Sequence, residues 1–158
     1  APYADGAARL LGVVPDRDVA NIAVRICFRV MQTFGPDKGV CAILLADEEA
    51  ERAWEKAGRP GMAAGRQLGV HFDLGDPDAT VVPVANGVPL VRYDEEGFND
   101  RYHVLHLVQY ENRGEIFLDH RRVALVPLTP RTRRPLFLIR AERVEIAVTE
   151  LDVWELAE

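Results

Sequence analysis

The sequence predicts an α+β fold: an N-terminal helix–strand–helix packed on a mainly antiparallel β-sheet that can curl into a partial barrel. Three observations predict it. The length, 158 residues, suits one domain. The hydrophobic periodicity changes near residue 69, from mostly helical over residues 1–68 to mostly alternating over residues 69–158. Short turn signals then recur along the later region, as expected of hairpin-linked strands.

Residues 16–34 read as the strongest helix. Pro15-Asp16 supplies an N-cap, Asp18 a carboxylate in the first turn, and Gly35-Pro36 a stop. Arg17, Asn21, Arg25, Arg29 and Gln32 fall on one polar stripe, and nearly all else is apolar. The apolar arc is about 200° wide, broader than a surface helix needs. Phe28 alone falls inside the polar arc. Excess apolar surface of this kind points to self-association, with Phe28, Met31 and Phe34 as candidate interface residues.

The run from Val40 to Leu45 is continuously apolar, which suits a strand buried on both faces. Asp47 then caps a second helix, 48–57, closed by Gly58 and Pro60. Residues 59–69 form a loop with glycines at 61, 65 and 69. The spacing matches neither a phosphate-binding loop nor a dinucleotide fingerprint.

Strands follow. Val70, Phe72 and Leu74 alternate with His71 and Asp73. Residues 80–85 and 88–93 flank Asn86-Gly87, a hairpin signal, and Pro83 and Pro89 push that hairpin to a sheet edge. An acidic loop covers 94–100. Strands are expected at 101–110, 115–119, 123–128 and 136–149, with a loop at 129–135 and a C-terminal tail that extends the last strand or adds a short helix.

Composition excludes several classes. Hydrophobic residues are 48% and charged residues 28%, so the chain is neither disordered nor a disulfide-stapled miniprotein. No apolar run reaches the length of a spanning helix, so no membrane partner is expected. The net charge of −6 disfavours a nucleic-acid binder, although such a partner stays open through one basic segment. The N-terminus lacks the pattern of a signal peptide, and Cys27 and Cys41 both sit in apolar runs. Two buried thiols suit a reducing, cytoplasmic setting.

Chemistry-bearing residues are few. The chain contains no serine, which excludes a serine hydrolase. His71 and Asp73 share one strand face, a pairing that suits acid–base work or a metal, and Asp76 and Asp78 just beyond add oxygen ligands. His103 and His106 are three apart, so on a strand they point to opposite faces. The segment 121–143 carries seven arginines (121, 122, 131, 133, 134, 140 and 143) against one acid, Glu142. Arg121, Arg122, Arg131, Arg133 and Arg134 are therefore candidate anion ligands, since guanidinium forks match carboxylate and phosphate. No cofactor is identified by any motif.

These features rank three functions. The first is a non-catalytic binding or assembly module that forms a homo-oligomer or docks on a protein. The second is a small acid–base or metal enzyme around His71 and Asp73. The third is an anion or nucleic-acid binder using 121–143.

Overall fold

The computed structural model describes residues 5–9, 21–33, 39–46, 67–75, 77–86, 88–128 and 136–156. They form twelve strands in two antiparallel sheets. In chain order these are β1 (Asp5–Arg9), β2 (Ile22–Thr33), β3 (Gly39–Ala46), β4 (Gln67–Leu74), β5 (Ala79–Ala85), β6 (Val88–Pro89), β7 (Tyr93–Glu95), β8 (His103–Tyr110), β9 (Arg113–Leu118), β10 (Arg121–Pro127), β11 (Leu136–Glu142) and β12 (Val144–Glu155). A 3₁₀ turn, η1, spans Phe98–Asp100. The larger sheet runs β1-β11-β3-β4-β5-β6, with β7 also on β5; the smaller runs β10-β9-β8-β2-β12.

The expected α+β class is corrected by this arrangement. Residues 22–33 are not helical but form the strand next to the edge of the smaller sheet, paired with β8 and β12. The physical reason lies in the side chains. Ile22, Val24, Ile26, Phe28 and Val30 are all buried, while Arg25, Cys27 and Arg29 between them are partly exposed. That is period two, in a stretch rich in β-branched residues. Arg25 and Arg29 are four apart, a spacing shared by a helix face and a strand face, so they mimic a helical stripe. Phe28 is the residue that fits only the strand. The region 1–68, expected to be mostly helical, instead supplies β1, β2, β3 and the start of β4. The second expected helix, 48–57, lies outside the described residues.

The core lies between the sheets. The smaller sheet contributes the inward side chains of β2 with Leu105, Leu107, Ile116 and Leu118. The larger contributes Cys41, Ile43, Leu45, Leu68, Val70, Phe72, Leu74, Val81, Phe137 and Ile139. Two inner faces packed in this way form a β-sandwich.

The apolar run in β3 behaves as its composition predicts. Ile43 and Leu45 face the core, and Ala42, Leu44 and Ala46 are equally buried on the other face with Val84 and Leu138. The outer face of the larger sheet is therefore largely closed at its centre. The outer face of the smaller sheet is more open, with Leu125 and Trp154 among its exposed residues.

Hairpins follow the turn chemistry. The β5–β6 hairpin pairs Ala85 with Val88 beside Asn86, whose φ is 53°; β6, with Pro89, lies at the sheet edge as expected, whereas Pro83 is on β5, which pairs with β4 and β6. Asp119 and His120, at φ 53° and 66°, make the two-residue turn between β9 and β10. The expected strand 136–149 divides at Arg143 (φ 55°) into β11 and β12, which belong to different sheets.

Gly69 lies within β4, not in a loop, between Leu44 and Val84. A Cβ there would sit 2.2 Å from the Ile43 carbonyl oxygen and 2.8 Å from the Leu44 Cα. Both obstacles are backbone of the neighbouring strand. Gly69→Ala is expected to destabilise the sandwich by about 3 kcal/mol, the upper range of an overpacked core. Urea unfolding followed by tryptophan fluorescence checks this, and an unchanged midpoint would contradict it.

Candidate functional site

Two clusters of polar side chains stand out, one closed and one open. The closed one is centred on His103, the first residue of β8. Alternation places His103 on the inner face, where it is fully buried. Its ring stacks on Phe98 at 3.7 Å between centroids and 12° between planes. Phe28 lies 5.7 Å away, and Phe72 packs on Phe98 at 5.2 Å. The imidazole is thus one of four rings wedged between the sheets.

Its nitrogens are both engaged. Nδ1 lies 2.7 Å from Asp119 Oδ2, and Nε2 lies 2.6 Å from the Phe98 carbonyl oxygen. Both partners are acceptors, so a ring protonated on both nitrogens donates to each. The second Asp119 oxygen accepts the Val104 backbone N–H at 3.0 Å. Arg101 pairs with Glu95 at 3.2 Å, and Glu95 lies 3.9 Å from His103 Nδ1. Burial by itself raises the Asp119 carboxyl pKa. The hydrogen bonds from His103 and Val104, with the charges of His103 and Arg101, outweigh it and leave the group below its ordinary value.

Glu95, His103 and Asp119 bring their ligand atoms within 4.8 Å of one another, a separation that a divalent ion can bridge. Each of these residues already faces an internal partner of opposite character. The arrangement acts as a pin joining β7, η1, β8 and the β9–β10 turn. Tyr93 beside it has its hydroxyl pKa raised by burial, against the nearby Arg121, whose guanidinium lies 5.8 Å from the ring centroid.

The open cluster covers the outer face of the smaller sheet. Register places Asp152, Arg25, His106, Phe117 and Arg122 in one row across β12, β2, β8, β9 and β10. The next row carries Trp154, Ala23, Val108, Glu115 and Leu125. Arg25 meets Glu150 and Asp152, each at 3.3 Å. Glu115 lies 3.7 Å from Arg122 and 3.9 Å from Arg113. His106 meets Phe117 edge-on at 6.4 Å and His120 at 6.3 Å. Its pKa is lowered by partial burial, then by the charges of Arg25 and His120. Trp154 is 47% exposed on the edge strand, and Tyr102 lies under the Arg29 guanidinium at 5.5 Å. Planar rings interleaved with two-pronged donors and acceptors can stack on a ligand and hydrogen-bond its edges.

Of the residues singled out from the sequence, the fold brings some of the described ones together and separates others. His71 and Asp73 do share the outer face of the larger sheet, opposite Ala42 and Val40. Burial pushes the His71 imidazole down to about 4, against the opposing charge of Asp73. Asp73 faces Arg92 at 3.9 Å. Asp78 instead accepts the Gly97 backbone N–H at 2.9 Å, fixing the start of η1. Among the described residues, no group of three ligands includes His71. Asp76, Arg131, Arg133, Arg134 and Phe34 lie outside the described residues. Arg121 and Arg122 separate, one toward Tyr93 and the other onto the open face. Met31 is 54% exposed, whereas Phe28 is in the core between the sheets and offers no surface. Cys27 is half-buried on β2 and Cys41 buried, both as free thiols, with burial raising the Cys41 pKa. Among the described residues, neither lies in a ligand cluster with a histidine.

No family model and no curated protein matches the chain. Solved structures do. An alginate lyase from Pseudomonas aeruginosa superposes at a TM-score of 0.63 with 12% identity, covering 96% of this chain and 74% of the other. The carbohydrate-binding module CBM66 from Bacillus subtilis gives 0.59 with 12% identity over 95% and 83%. Sheep galectin-11 gives 0.50 with 11% identity over 96% and 98%. At these identities the likeness is one of fold, a jelly-roll-like β-sandwich.

Because Asp119 is held below its ordinary pKa, its contribution to stability is present above the unfolded value, about 3.9, and lost as pH falls through the folded one. Asp119→Asn is expected to destabilise the chain by about 1–3 kcal/mol at pH 7. The gap to the parent should narrow below about pH 4. Urea titrations at about pH 7 and about pH 3.5, either side of that value, check this; an equal gap at both would remove the charge from the account.

Proposed function

We propose that the chain is a non-catalytic carbohydrate-binding module whose ligand lies on the outer face of the smaller sheet. One observation carries the reading: the two adjacent rows that place Arg25, His106, Phe117, Arg122, Glu115 and Trp154 on a single open face. Sugars present flat apolar faces ringed by hydroxyls. An exposed indole takes the flat face, and charged side chains take the hydroxyls. The fold supports the reading by analogy, since a carbohydrate-binding module and a galectin share it.

The His103 cluster does not compete for this role. Its ring is fully buried, and both ring nitrogens are engaged by Asp119 and the Phe98 carbonyl. A group that no ligand reaches does not turn over substrate.

A second reading, self-association, is favoured by one edge. Val88, Leu90 and Val91 are 56%, 38% and 46% exposed along and just after β6, the last strand of the larger sheet. An edge of this kind can pair with a second copy. Light scattering that gives a dimer mass for the parent and a monomer for Val88→Lys would support it.

The primary reading is tested by calorimetry against a panel of neutral and acidic oligosaccharides. Trp154→Ala is expected to weaken binding by about 1–2 kcal/mol, roughly tenfold in Kd, without shifting the melting temperature much. Unchanged affinity in this variant would move the ligand off the face.

A further inference from the structure

We propose that the glycan taken by this face is an acidic one, and that Arg25, His106, His120 and Arg122 form the corner receiving its carboxylate. The inference rests on the carbohydrate-binding reading and adds the ligand's chemical class.

Arg25 and His106 are register partners on β2 and β8, so their side chains leave the same face side by side. His120, in the β9–β10 turn, brings its ring to 6.3 Å from that of His106. Arg122 is one strand beyond Phe117, which itself touches His106 edge-on. Phe117 thus forms an apolar floor between Arg122 on one side and His106, with Arg25 beyond it, on the other. Guanidinium forks match carboxylates in two-pronged fashion, and flanking imidazoles add donors.

The acids facing this corner are accounted for. From β12, Glu150 and Asp152 approach Arg25 at 3.3 Å, and from β9 Glu115 approaches Arg122 at 3.7 Å. Both arrangements leave the arginine side chain partly exposed, at 32% for Arg25 and 54% for Arg122. Asp119 is adjacent to His120 in sequence, but its two oxygens are turned to His103 and the Val104 N–H. A further cation, Arg113, sits at 3.9 Å from Glu115.

A consequence is pH dependence with a definite sign. His106 is held toward its neutral form by burial and by the charges of Arg25 and His120. An incoming carboxylate offsets those charges and favours the protonated ring. Affinity therefore rises as pH falls from neutrality, until the ligand's own carboxyl becomes protonated. A neutral sugar has no such coupling to His106.

The test is calorimetry on the full chain at about pH 5 and about pH 7.5, which bracket the histidine range, with three acidic probes: oligogalacturonate, alginate oligomers and glucuronate oligomers. The methyl ester of each serves as its neutral counterpart. At least one acid form is expected to bind, about tenfold or more tightly than its ester and about tenfold more tightly at the lower pH than at the higher. His106→Gln should flatten that pH dependence while retaining binding at the higher pH. Trp154→Ala should weaken binding at both pH values and keep the slope. An ester bound as tightly as its acid overturns the acidic assignment and leaves the glycan face standing. A slope unchanged in a folded His106→Gln variant overturns the role of the corner. No binding by any acid, ester or neutral glycan overturns the carbohydrate reading and this inference together.

Discussion

The four-ring wedge of Phe28, Phe72, Phe98 and His103 is the contact on which the rest of the sandwich depends. Phe28 comes from the smaller sheet, Phe72 from the larger, and Phe98 from the 3₁₀ turn between β7 and β8. The phenylalanine rings sit at 5.2–6.3 Å from one another, a spacing at which edge and face contacts are both favourable. Three of the four are apolar and could slide. The imidazole cannot, because its two nitrogens are tied to the Asp119 carboxylate and the Phe98 carbonyl. Packing supplies the cohesion here and hydrogen bonds supply the register, which is the division expected when a buried polar group is fully satisfied.

That pin also explains the shape of the smaller sheet's outer face. Asp119 reaches inward from the β9–β10 turn, and His120, its neighbour in that turn, is exposed beside His106. Both residues have positive φ, the conformation that a tight two-residue hairpin demands and that Asp tolerates better than most. The turn that closes the core thus also aims a second imidazole at the open face. A change at Asp119 would act on the face through the backbone of this turn, without any contact between Asp119 and a ligand.

The fold is legible in the sequence wherever one periodicity is uncontested. Residues 70–74, β8 and β9 alternate cleanly, the Asn86 turn with Pro89 locates an edge at β6, and the unbroken apolar run of β3 is buried on both faces. Residues 22–33 are ambiguous for a physical reason. Polar residues four apart fit a helix and a strand alike, and Arg25 with Arg29 satisfies both. The position of Phe28 is the discriminating observation. An aromatic that breaks the helical stripe but keeps strict alternation with Ile26 and Val30 belongs to a strand. The candidate site inherits the same ambiguity. A helical reading of Arg25 and an undecided tail at Trp154 keep both residues from sharing a surface with His106. The separation of His103 and His106 to opposite faces is legible, because it needs only the period of a strand. The partner of His103 is not, since Asp119 is an ordinary turn residue in sequence and acquires its role only when β8 and β9 pair.

The two polar clusters differ in what burial asks of them. Inside, a buried polar group needs its partners, and both nitrogens of His103 have one, the Asp119 carboxylate and the Phe98 carbonyl. Outside, water screens the charges of the pairs Arg25–Asp152 and Arg122–Glu115, at 3.3 and 3.7 Å, so each stabilises the fold little. Pairs on an exposed face are exchangeable, because breaking one leaves no buried charge behind. The closed cluster has no such freedom. The same residue types therefore lock the structure where the sandwich is dry and stay free to change partners where it is wet, and accessibility decides which.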